Sequence, residues 1–125
     1  MELPSELKRK LKRRFSDLEE MYIRIFNNFL VDIEQCKSVE NFMLYKKKLL
    51  LELIEKLPLT EDYCPFCISN YYITKEGQCE DCEYGKIHGK CIDANSDWMK
   101  IWRAKIELMR LIDEHYYSNE EYKGW

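Results

Sequence analysis

Ser38-Val39-Glu40-Asn41-Phe42-Met43-Leu44-Tyr45-Lys46-Lys47-Lys48-Leu49-Leu50-Leu51-Glu52-Leu53-Ile54-Glu55-Lys56-Leu57-Pro58 contains the start, the face and the stop of one helix. Ser38 is an N-cap candidate, because its hydroxyl can accept an orphan N–H of the first turn. Val39, Phe42, Met43, Leu49, Leu50, Leu53, Ile54 and Leu57 recur at helical spacing. Pro58 ends the run, since the residue before a proline is pushed out of the α region. Upstream, Leu11, Phe15, Leu18, Tyr22, Ile25, Phe29 and Ile33 alternate in steps of three and four. They predict a long helix that starts at Ser5–Glu6 and ends near Gln35–Lys37. Ile23, Phe26 and Leu30 add a further apolar face, so its second half is expected to be buried more deeply than its first two turns. The short link between two such helices predicts an antiparallel hairpin.

Downstream, Asn95 or Ser96 opens a third helix that should run to about Tyr117. Trp98, Ile101, Trp102, Lys105, Leu108, Met109 and Ile112 form its expected inner stripe, with Lys105 burying its stem at the edge. The fold class read from these patterns is mainly α. It is a three-helix bundle of one long antiparallel pair plus a C-terminal helix, in a single domain over residues 1–125.

The chain of 125 residues suits one domain. With 46% hydrophobic and 14% aromatic residues it can form a core, which argues against disorder. No apolar run approaches the roughly 18–20 residues of a membrane span. The opening Met1-Glu2-Leu3-Pro4-Ser5-Glu6-Leu7 has no apolar stretch of signal-peptide type, so a cytoplasmic location with reduced thiols is expected. Charge is unevenly spread. Residues 1–57 hold 12 basic and 10 acidic residues, net +2, and residues 58–95 hold 3 and 7, net −4. The acidic middle is a poor candidate for gripping phosphates.

That middle, residues 59–94, differs in kind from the helices. Apolar periodicity stops, and three of the four glycines and five of the six cysteines fall here. A long insert without its own core needs a staple. Cys64-Pro65-Phe66-Cys67 is followed by Cys79-Glu80-Asp81-Cys82 and then His88-Gly89-Lys90-Cys91. A C-x₂-C pair lets two thiolates reach one ion from a tight turn, and a second pair completes a tetrahedron with Zn–S bonds of about 2.3 Å. Cys64, Cys67, Cys79 and Cys82 are therefore the expected ligands of one structural zinc, with Cys91 and His88 as alternates. Tyr71-Tyr72-Ile73-Thr74 has β propensity and Lys75-Glu76-Gly77-Gln78 is a turn candidate, which predicts a small hairpin between the pairs. Over residues 63–91 this plan resembles a zinc ribbon, without pointing to a particular family.

The same residues suit other chemistry in part. Cys-Pro-Phe-Cys alone also suits a thiol redox centre, and four thiolates suit an iron–sulfur cluster. The redox motif belongs after a strand in a βαβ setting, whereas here a helix precedes it and a second pair follows. Neither ferredoxin spacing is matched. Zinc-hydrolase, deaminase and phosphate-loop signatures are missing from the sequence, so no enzyme is expected.

The basic run Lys8-Arg9-Lys10-Leu11-Lys12-Arg13-Arg14 opens the first helix. Lys8, Arg9, Lys10, Lys12, Arg13 and Arg14 are candidates for contact with nucleic acid or an acidic partner, against the plainer reading of a solvated helix end. Lys46-Lys47-Lys48 would extend this patch only if it fell on the same side. Tyr63, Phe66, Tyr71, Tyr72 and Tyr84 are expected to roof the metal and dock it onto the helices. Trp98 and Trp102 are expected to pack in the core against the first two helices. The functional expectation is a small zinc-stabilised binding module, an adaptor or regulator acting through protein–protein contacts. A nucleic-acid-binding regulator is the first alternative, and a thiol redox or iron–sulfur protein the second.

Overall fold

The computed structural model describes residues 2–69 and 95–117. Among the described residues all regular structure is helical and no strand occurs. Helix α1 spans Ser5–Gln35 and α2 spans Val39–Glu55. A 3-10 turn, Glu61–Tyr63, leads into the one-turn helix α3, Pro65–Ile68. Helix α4 covers Asp97–Leu111 and closes with a π-helical turn, Ile112–Tyr116. No helix among the described residues is long and apolar enough to cross a membrane. The chain divides into two compact units, Met1–Leu18 with Pro58–Ala104, and Glu19–Leu57 with Lys105–Trp125.

Local chemistry sets the boundaries. The amide of Lys8 reaches the carbonyl of Pro4 at 2.9 Å, so Ser5 is the first residue inside α1 and Pro4 lies just before it. Ser38 Oγ accepts from the Asn41 amide at 3.1 Å and caps α2. Ser96 Oγ does the same for the Met99 amide, also at 3.1 Å, and opens α4. Helix α2 stops at Glu55, three residues before Pro58.

Among the described residues of the first unit, Leu7, Leu18 and Ile68 are the buried apolar side chains, and Ser96 is also buried. Phe15 meets Tyr63 edge to face, with centroids 5.4 Å apart, and Arg14 pairs with Asp62 at 3.7 Å. These contacts fasten the segment after α2 to the first half of α1.

In the second unit, Phe29 of α1 packs on Phe42 of α2 at 6.2 Å. The last carbonyls of α2, which have no partner within the helix, are taken by side chains from elsewhere. Tyr22 donates its hydroxyl to the Lys56 carbonyl at 2.8 Å, and Lys105 donates its ammonium to the Glu55 carbonyl at 3.2 Å. The middle of α2 meets the π turn, where Lys47 donates to the Asp113 carbonyl at 2.5 Å and Lys46 lies 5.6 Å from the Tyr116 ring centre. Near the end of α4, Arg110 forks between Glu107 and Glu114 on the exposed face. That fork holds the Glu107 carboxyl below its usual range, chiefly through the hydrogen bond.

Two expectations about burial are corrected. Ile23, Phe26 and Leu30 are 51%, 44% and 56% exposed, whereas Leu7 and Leu18 are nearly inaccessible, so the second half of α1 is not the more buried part. The line Tyr22, Ile25, Phe29 takes the contacts with α2. A residue one position along lies about 100° round the helix, which turns the second apolar face away from that partner. In α4, Ile101 and Leu108 are exposed. The more buried line is Trp98, Trp102, Lys105, Met109, Ile112 and Tyr116, which holds the four-three rhythm that Ile101 and Leu108 break.

Candidate functional site

The Cys64–Cys67 turn is built by the chain's exit from α2. Thr60 is extended, and the amides of Tyr63 and Cys64 bond back to the carbonyls of Thr60 and Glu61 at 3.1 and 3.2 Å, which closes the 3-10 turn. Cys64 then swings to an extended conformation at the N-cap of α3, with Pro65 pre-set for the first helical position. The Ile68 amide returns to the Cys64 carbonyl at 3.0 Å. One helical turn thus separates Cys64 from Cys67, both half-buried. Cys64 caps this turn and Cys67 lies inside it, the arrangement by which a C-x₂-C pair could reach one ion. Among the described residues no three of His, Cys, Asp or Glu gather to hold an ion. Cys79, Cys82, Cys91 and His88, the hairpin expected over 71–78 and the aromatics Tyr71, Tyr72 and Tyr84 lie outside the described residues.

Both thiols line a cleft of about 680 Å³ within the first unit. One side is the segment Pro58–Cys67, and the other is formed by Trp98, Ile101 and Trp102 of α4. The two indoles stack at 5.4 Å with 13° between their planes. Trp98 Nε1 donates to the Leu59 carbonyl at 2.6 Å, tying α4 to the wall opposite. The tryptophans are therefore half-buried cleft walls, and Trp98 bonds to the segment after α2. Tyr63 packs on Phe15, and Phe66 lines the cleft. No direct signal for this cleft is legible in the sequence. The hint was two prolines, Pro58 and Pro65, which break the apolar-periodic pattern between the end of α2 and the first cysteine pair.

The basic run begins α1 as expected. Lys8, Arg9, Lys12 and Arg13 are exposed, and Lys10 and Arg14 are half-buried. Lys10, Arg13 and Arg14, at helical spacing, line a cavity of about 330 Å³ with Asp17 and Ile68. Lys46 lies against the Tyr116 ring and Lys47 pairs with Asp113, both of the π turn, while Lys48 pairs with Glu52 at 3.8 Å. Cys36, just past the end of α1, is half-buried. His115, on the π turn, is exposed and lies 3.6 Å from Glu114. Compared with protein-family models, curated proteins and solved structures, the chain matches none.

Proposed function

We propose that the chain is a small non-enzymatic binding module, stabilised by one zinc ion and acting as a cytoplasmic adaptor or regulator through protein–protein contacts. In this reading residues 1–125 form one three-helix domain. Residues 59–94 are a zinc-ribbon-like insert, with Cys64, Cys67, Cys79 and Cys82 as ligands and Cys91 and His88 as alternates. The pairings Phe29 with Phe42 and Tyr22 with Lys56 support an antiparallel α1–α2 hairpin. The observation that carries the proposal is the placement of Cys64 and Cys67 one helical turn apart, in the wall of an aromatic cleft. A bound zinc would supply folding energy there: apparent values for structural sites are about 10–16 kcal/mol. Metal content per chain with an absorption spectrum tests it. One zinc and a colourless sample are expected, whereas a brown sample with iron and sulfide would replace it with an iron–sulfur protein.

A nucleic-acid-binding regulator is the second reading, favoured by the cavity that Lys10, Arg13 and Arg14 line. It requires affinity for a duplex or single strand that falls steeply with salt and with Arg13→Ala and Arg14→Ala together. Binding indifferent to both would remove it.

A further inference from the structure

The cleft beside Cys64 and Cys67 has a composition that selects among partners. Among the described residues its walls carry four aromatic rings, those of Tyr63, Phe66, Trp98 and Trp102, and the charged lining residues are Glu61 and Asp62, with no Lys, Arg or His. Aromatic faces are negative, and they attract a cation placed over them more strongly once water is excluded. Glu61 is exposed at this edge, and the chain itself already rests a guanidinium on the neighbouring acid, through Arg14 and Asp62. A volume of about 680 Å³ falls in the range of ligand pockets, roughly 300–1,000 Å³. It has room for a long side chain and its neighbours. A purely apolar occupant would leave the acidic edge unanswered, and an acidic one would be repelled by it.

We propose that this cleft is the partner-binding site of the module and that it receives an arginine or lysine side chain flanked by apolar residues from a protein partner. The hydrocarbon stem lies along the aromatic walls, the apolar flanks cover Ile101 and Phe66, and the charged head faces Glu61. The inference deepens the binding-module reading and rests on it for the nature of the partner. The described residues that line the cleft all belong to the first unit.

The test uses the full chain with Trp125→Phe, so that emission comes from Trp98 and Trp102, and metal content is measured on the same sample. The probes are the peptide acetyl-Ala-Leu-Arg-Leu-Ala-amide, its citrulline counterpart, which keeps the shape and removes the charge, and phenyltrimethylammonium. The arginine peptide should shift tryptophan emission saturably and bind about tenfold more tightly than the citrulline peptide, in line with a desolvated cation over aromatic faces. Glu61→Gln should cost about threefold, and Glu61→Arg should abolish the preference for arginine. Residue 61 is exposed, so neither change should alter helical circular dichroism. Equal binding of the two peptides, or an unchanged preference in Glu61→Arg, overturns the proposal. Binding of phenyltrimethylammonium without the arginine peptide overturns it in favour of a small-molecule site. No response to any probe in a sample with one zinc per chain overturns the cleft while leaving the module standing. A sample without zinc removes the module reading, and the peptide titration still decides the cleft.

Discussion

Lys105 is 7% exposed in the middle of an amphipathic helix, and a charge in that position must be answered. Its ammonium reaches the Glu55 carbonyl at 3.2 Å, at the C-terminus of α2, where the helix dipole favours a cation. Tyr22 takes the next carbonyl, that of Lys56. The two side chains together end α2 from outside, in place of the glycine cap that the sequence does not supply there. Removing Lys105 would leave a carbonyl short of a partner and a void where its stem packed. Lys105→Met keeps the stem and should cost about 1 kcal/mol in urea unfolding, the net worth of one such hydrogen bond. Lys105→Ala should cost roughly 2–3 kcal/mol, because the packing goes as well. If both variants unfold at the wild-type midpoint, the contact contributes no stability. Periodicity placed Lys105 on the inner stripe, but its partner is a backbone carbonyl fifty residues away, which no local pattern encodes.

At the scale of elements, the helix starts were the most legible part of the chain. Ser38 was readable as a cap and Asn95 or Ser96 as the next helix start, because each precedes an apolar-periodic run, and both serines accept the amide three residues on. They are not equivalent, since Ser38 is exposed and Ser96 is 2% exposed. Water can replace the lost acceptor at Ser38 but not at Ser96. Ser38→Ala should therefore cost about 0.5–1 kcal/mol and Ser96→Ala about 2, at the upper end for N-caps. Equal losses in thermal unfolding would show that burial of the cap does not matter here. Burial of the helix faces was less legible. Hydropathy marks two apolar lines on the second half of α1 but does not say which one meets a neighbour, and the exposed line turned out to be Ile23, Phe26 and Leu30. The cleft was hidden for a related reason. Trp98 and Trp102 read as core because large aromatics usually are, while the wall they face is an irregular turn with no periodicity to betray it.

At the scale of the whole molecule, the two compact units draw their order from different sources. The second holds Phe29 on Phe42, the fastened end of α2 and the lysine contacts to the π turn, all made by helix side chains. The first buries Leu7, Leu18 and Ile68 and depends on the turn that carries Cys64 and Cys67. A four-residue helix such as α3 is far too short to persist by itself. Its order must come from what its side chains hold, and under the proposed function that includes a metal. Chelation should then act locally, since free energies of opening differ across a structure. Amide exchange at Tyr63, Cys64 and Ile68, whose N–H groups bond to Thr60, Glu61 and Cys64, should accelerate by at least about a hundredfold once zinc is stripped. Such a change corresponds to about 2.7 kcal/mol of lost protection, a small part of a structural zinc site's binding energy. The amides in the middle of α2, Tyr45 to Leu53, should change by less than about threefold, because the contacts that protect them involve no cysteine. Uniform acceleration across both sets would mean that the units open together as one cooperative body. No acceleration at Cys64 and Ile68 would mean that the turn is held by packing alone, and the metal would lose its structural role.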